Sequence, residues 1–206
     1  MPLIEPARCQ VDVAAGRMAG GTGAYRKRLA DLAGLYLDET AFAALAALRG
    51  DEVVYEVGDF RPSENPGDMI FGLTRMSPGK VGEEYFLTRG HIHARADRPE
   101  VYYGQAGHGL MLMESPAGDT RIVEVGPQTI CYVPPRWIHR SVNTGTEDFV
   151  MMFAYPADSG QDYDIIARSG GMKTRIFDDG AGGWVARDNA DYRPRSAVEI
   201  AALMAA

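Results

Sequence analysis

Between Asp51 and about Phe177 the chain is a succession of short β-prone runs, cut by Gly, Pro, Asn and Asp every 8 to 15 residues. The runs are VVYEV (53–57), MIFGLTRM (69–76), EEYFLT (83–88), EVYYGQ (100–105), GLMLME (109–114), TRIVEV (120–125), TICYVP (129–134) and DFVMMFAY (148–155). Strands that short and that closely spaced predict an antiparallel sandwich or barrel rather than alternating βα units. Residues 1 to about 50 carry helical patterns instead, AYRKRLADLAGLY and LDETAFAALAALRG, the second with Asp38 as N-cap and Gly50 as its stop. A final amphipathic stretch, SAVEIAALMAA, predicts a C-terminal helix capped by Ser196. The expectation is one domain over 1–206: a barrel over about 51–177, a helical extension over about 1–50 and a second extension over about 178–206.

A net charge of −7 argues against nucleic acid and anionic membranes as partners, since both need a positive face. Two cysteines, Cys9 and Cys131, make no disulfide framework. The opening MPLIEPARCQ lacks the basic start and apolar stretch of a signal peptide, and no window approaches the roughly 20 apolar residues of a membrane span. A soluble, cytoplasmic protein is expected.

Chemistry concentrates in TRGHIHARADRPEVYYGQAGHG, residues 88–109. On an extended strand His91 and His93 project to one side, because side chains alternate with period two. Glu100 follows a turn-like ARADRP and opens the next strand. His139 lies where the Pro-Pro turn of YVPPRWIHRSVN meets a new strand. Three imidazoles and one carboxylate suit one divalent ion of five or six ligands, Fe2+ first, with Mn2+, Zn2+ and Ni2+ as alternatives. The fourth histidine, His108, sits in a Gly-flanked turn and is expected to be exposed. A lone histidine is usually structural; HxH, a following Glu and a distant PxxxH together are far more specific.

These segments resemble the two motifs of the cupin superfamily, GHIHARADRPE the first, with a longer stretch before its Glu, and GPQTICYVPPRWIHRSVN the second. The resemblance implies an all-β fold, a jelly-roll-like cupin barrel with flanking N- and C-terminal helices. Finer text is similar to the cupin-type phosphoglucose isomerases from about Leu73 to Ile166: MSPGKVGEEYFLTRGHIH, then ExYY, PPxxxH and AYPADSGQDY. That family implies interconversion of glucose 6-phosphate and fructose 6-phosphate, a sugar-phosphate partner and a homodimer. It places Thr74, Thr88 and Gly90 at the phosphate end of the ligand, and Tyr102 and Tyr155 beside the sugar hydroxyls. Where the family reads AYPADAGHDY this chain has Gln161, which hydrogen-bonds but carries no proton at neutral pH.

Glu100 is the expected catalytic residue as well as a ligand. It either takes the C2 proton or holds the site while hydride passes from C2 to C1. A carboxylate on a dication is a weak base, so the two roles compete. The alternatives are another metal-dependent cupin enzyme such as an Fe(II) dioxygenase, a non-catalytic sugar-binding cupin, and an isomerase of mannose 6-phosphate. Arg89 alternates away from Thr88 on a regular strand and is not expected in the site. Glu83 and Glu84, being adjacent, are expected to point oppositely.

Overall fold

A computed structural model describes residues 3–205. The chain opens with a hairpin, β1 (Gln10–Asp12) and β2 (Arg17–Ala19), and continues into β3 (Gly23–Arg28), a 3-10 turn at Leu29–Leu32 and helix α1 (Glu39–Arg49). Next come β4 (Val53–Phe60), β5 (Met69–Met76), β6 (Lys80–Val81), β7 (Glu84–Tyr85), β8 (Glu100–Ala106), β9 (Gly109–Glu114) and β10 (Thr120–Val125). β11 (Ile130–Val133), β12 (Ile138–Val142), β13 (Phe149–Pro156), α2 (Asp164–Arg168), β14 (Thr174–Asp178), β15 (Trp184–Asp188) and α3 (Ala197–Ala205) complete it.

One wall is a six-stranded sheet in the order β11-β8-β13-β5-β4-β3. The other joins β10-β9-β12 to β15-β14-β7-β6. Their seam is the extended segment after β7, which bridges β12 through Leu87 to Val142 and His91 to His139. Every paired strand among the described residues is antiparallel. The core fills the space between the walls, with Phe86, Leu110, Met111, Leu112, Ile138 and Phe149 essentially dry. Removing apolar surface on this scale from water is the main favourable term for such a barrel. The fold is therefore the expected all-β cupin barrel with a helix toward each end.

Caps follow the sequence. The Asp38 carboxylate accepts from Ala41 N at 2.8 Å, starting α1. Ser196 and Glu199 form a reciprocal capping box on α3: Glu199 accepts from Ser196 N at 2.7 Å, and Ser196 Oγ from Glu199 N at 3.3 Å. The N-terminal reading needs one correction. AYRKRLADLAGLY is not a helix: Gly23–Arg28 pairs with the free edge of β4, and only Leu29–Leu32 turns, as a 3-10 element. Leu29, Leu32 and Tyr36 of that run are buried all the same. The run EEYFLT is strand only at Glu84–Tyr85, and Phe177 falls inside β14. No helix among the described residues is long and apolar enough to cross a membrane.

Candidate metal centre

Glu100 opens β8 facing inward, opposite Val133 of β11, and is 2 % exposed. His139 on β12 comes from the other wall, carried by the bridge that also sets His91. The bridge backbone bonds run both ways, His91 N to His139 O at 3.0 Å and His139 N to His91 O at 2.9 Å. Three imidazole Nε2 atoms thus gather on one carboxylate oxygen: His139 at 3.0 Å, His93 at 3.2 Å and His91 at 3.8 Å from Glu100 Oε2. Ligand atoms of His91, His93 and Glu100 all lie within 4.8 Å of one another.

The ring nitrogens facing away are already committed. His93 Nδ1 donates to Arg98 O at 2.8 Å and His139 Nδ1 to Trp137 O at 3.0 Å. A neutral imidazole donating from Nδ1 presents a lone pair at Nε2, the arrangement of a metal ligand with its supporting carbonyl. The Nε2 atoms of His91 and His93 are buried without a hydrogen-bond partner. Burial and the imidazoles of His139 and His93 push His91 down to about 4, against the pull of Glu100, so it is neutral at pH 7. Burial alone would raise the Glu100 carboxyl; the imidazoles of His139, His91 and His93 gathered on it, His139 by a hydrogen bond of 3.0 Å, outweigh burial and hold the group well below the ordinary carboxylate range. Two buried Nε2 atoms without a partner, those of His91 and His93, beside an ionised carboxylate are what a divalent cation satisfies, and the donor set fits one.

Above this cluster a cavity takes in the remaining candidates. Thr74 of β5, Thr88, Gly90, Tyr102 of β8 and Tyr155 of β13 all line it. Thr88 Oγ1 accepts from Ser141 N at 3.0 Å, which fixes the side chain. Gly90 has φ +72°, and a Cβ there would sit 2.7 Å from Ile166 Cδ1 and 2.8 Å from the His139 carbonyl, so only glycine fits. Tyr102 hydrogen-bonds Glu100, and burial followed by that carboxylate raises its phenol well above the usual range. Burial pushes Tyr155 up to about 12, so it too is neutral and able to donate.

Arg89 corrects the sequence reading. It lines the cavity and lies over the Tyr163 ring at 5.6 Å, in a stretch, 88–90, that is not regular strand and so carries no strict alternation. The sequence also gave no sign of Tyr25, Tyr55, Asp59 and Arg61 in the wall, although Tyr55, Val57 and Asp59 share one strand face by period two. Gln161 lines the cavity, its Oε1 accepting from the Tyr163 hydroxyl. Glu84 is buried on Arg175 while Glu83 pairs outside with Arg187, so they do point oppositely. His108 is exposed, as expected.

A closed antiparallel barrel that turns three histidines and one glutamate onto a common point places this chain in the cupin class with a metal-type centre. Comparison with known sequences narrows it. The family model for glucose-6-phosphate isomerase (GPI) matches residues 26–195. "Putative glucose-6-phosphate isomerase 1" of Rhizobium meliloti (strain 1021) is 64% identical, covering 98% of this chain and 94% of the relative. The glucose-6-phosphate isomerase of Thermococcus litoralis is 41% identical, over 94% of this chain and 100% of its own. The chain belongs to the glucose-6-phosphate isomerase family.

Proposed function

We infer that this chain interconverts glucose 6-phosphate and fructose 6-phosphate at the centre formed by His91, His93, Glu100 and His139. The observation that carries the reading is the joining of that cluster to a cavity lined by Thr74, Thr88 and Gly90 within a chain of this family. Those four residues would hold one divalent ion, Fe2+ before Mn2+, Zn2+ or Ni2+. When bound, the ion supplies Lewis-acid stabilisation of the charge that develops on the sugar oxygens.

The protein's own groups set the geometry. Thr74, Thr88 and the Gly90 backbone take the phosphate, which fixes the chain of six carbons at its far end. Tyr102 and Tyr155, neutral and inward-facing, donate to sugar hydroxyls. Glu100 either leaves the cluster to reach C2 and moves the proton there during exchange of carbonyl and alcohol, or sets the charge around the site while hydride passes from C2 to C1. Gln161 carries no proton, and its bond to Tyr163 fits an orienting role. A mannose 6-phosphate isomerase would use the same machinery; the family match favours glucose 6-phosphate.

The test is chelator stripping followed by an assay of fructose 6-phosphate conversion. Activity is expected to vanish and to return with Fe2+. A reloaded protein that never turns the sugar over would defeat the reading and bring the oxygenase alternative forward. Within it, Thr88→Val should raise KM for fructose 6-phosphate by roughly tenfold or more with kcat little changed, the effect of one hydrogen bond to a charged group. Steady-state kinetics decide: an unchanged KM removes Thr88 from the phosphate site.

We place the protein in the cytoplasm as a homodimer; both its cysteines are free thiols. The outer face of β8 and the edge strand β11 exposes Val101, Tyr103, Ile130 and Tyr132 in cross-strand pairs, Ile130 at 70 % and Tyr132 at 53 %. A flat apolar edge of this kind is what a second copy covers. The wild type should sediment at twice the single-chain mass and Ile130→Asp/Tyr132→Asp at the single-chain mass. A double variant that stays dimeric puts the interface elsewhere.

A further inference from the structure

Ser141 lines the sugar cavity and His139 turns onto Glu100, so period two turns Arg140, between them, to the other side of β12. There a second cavity of about 270 Å3 is lined by Tyr36, Arg89, Arg140 and Arg175, with Tyr163 shared with the first cavity. Arg140 is 5 % exposed, Arg175 8 % and Tyr36 4 %. Arg175 Nη1 donates to Glu84 Oε1 and to Leu35 O, both at 2.9 Å. Arg140 makes no salt bridge with a described residue; its Nη2 donates to a carbonyl, that of Arg89, at 2.8 Å. The Nε atoms of both arginines and the Tyr36 hydroxyl are buried with no hydrogen-bond acceptor.

The buried charges do not balance: Arg175 takes the Glu84 carboxylate and Arg195 takes the buried Glu114, which leaves Arg140 with no ion pair of its own among the described residues. The acids that line the cavity, Glu39 and Asp191, are exposed. A buried cation without a partner, and buried donors without acceptors, each cost free energy that an anion would remove. Guanidinium groups match tetrahedral oxyanions in particular, through paired N–H donors.

We propose that this cavity behind β12 is a second oxyanion site, taking a phosphate, free or at the end of a short ester, between Arg140, Arg175 and Tyr36. It is separate from the site that holds the sugar phosphate, yet Arg89 and Tyr163 form part of the wall of both. The backbone of Arg89 is the direct link, since its carbonyl accepts from Arg140.

Equilibrium dialysis of the metal-loaded protein against radiolabelled inorganic phosphate tests this without reference to turnover. Two phosphates per chain are expected. Thr88→Val should weaken one of them and spare the other. Tyr36→Phe, which deletes one donor and no packing, should raise the dissociation constant of the spared phosphate roughly tenfold. Arg140→Met should abolish it. Displacement of the second phosphate by methyl phosphate assigns the site to an ester, and failure to displace assigns it to the free ion; either bears the proposal out. A single phosphate that responds to Thr88→Val and is indifferent to Tyr36→Phe overturns it. A single phosphate with the reverse sensitivities sustains this site and removes the sugar-phosphate one.

Discussion

His93→Ala is expected to lower turnover of fructose 6-phosphate by about a thousandfold or more, ~4 kcal/mol in the barrier, and to lower bound metal below one per chain. The side chain is 4 % exposed, its Nδ1 is tied to the Arg98 carbonyl and its Nε2 meets Glu100 at 3.2 Å. Removing it deletes one of the three imidazoles that converge on Glu100. A buried truncation also costs stability, so thermal unfolding must show the variant folded before its kinetics are read. His108→Ala supplies the control: it removes an exposed turn histidine and should change neither metal content nor rate. A folded His93→Ala protein that holds one metal per chain and turns over at the wild-type rate would remove this residue from the centre.

That the four residues were legible in the sequence has a physical basis. Period two in an extended segment fixes where His91 and His93 point, and metal ligation restricts residue types more severely than packing does. The bridge of His91 to His139 then carries out what the sequence distance between them conceals. Strand positions in the barrel were legible for a similar reason, since turn residues cut the runs where the walls reverse. The errors arose where long-range contacts decide. Leu29, Leu32 and Tyr36 have the spacing of a helix face, but the open edge of β4 captures the residues before them as strand β3. That is tertiary pairing overriding local pattern. Arg89 enters the cavity because residues 88–90 are not regular strand, so the alternation that would turn it away does not apply. The second arginine cavity was invisible for a plainer reason: Glu84 and Arg175 meet across 91 residues, and nothing local to either announces the other.

Glu100→Gln is expected to cut kcat by about a hundred- to ten-thousandfold at saturating metal, the range for a group that moves a proton, with KM altered far less. The exchange keeps shape and removes charge. In the native site that charge is permanent at neutral pH, because the imidazoles hold the carboxyl well below the ordinary carboxylate range despite its burial. The same hold makes the group a poor base while all three imidazoles grip it, with His139 Nε2 at 3.0 Å. Proton abstraction therefore requires the carboxylate to leave the cluster and reach C2, with Tyr102 able to follow it by hydrogen bond. Two measurements separate the roles. Should the Gln variant need more metal but reach wild-type kcat once saturated, Glu100 is a ligand and nothing else. Conversion in tritiated water addresses the proton itself: label fixed in carbon-bound positions of the product assigns transfer through Glu100. Unlabelled product, with kcat still lost in the Gln variant, assigns internal hydride passage and leaves Glu100 the task of setting the charge around it.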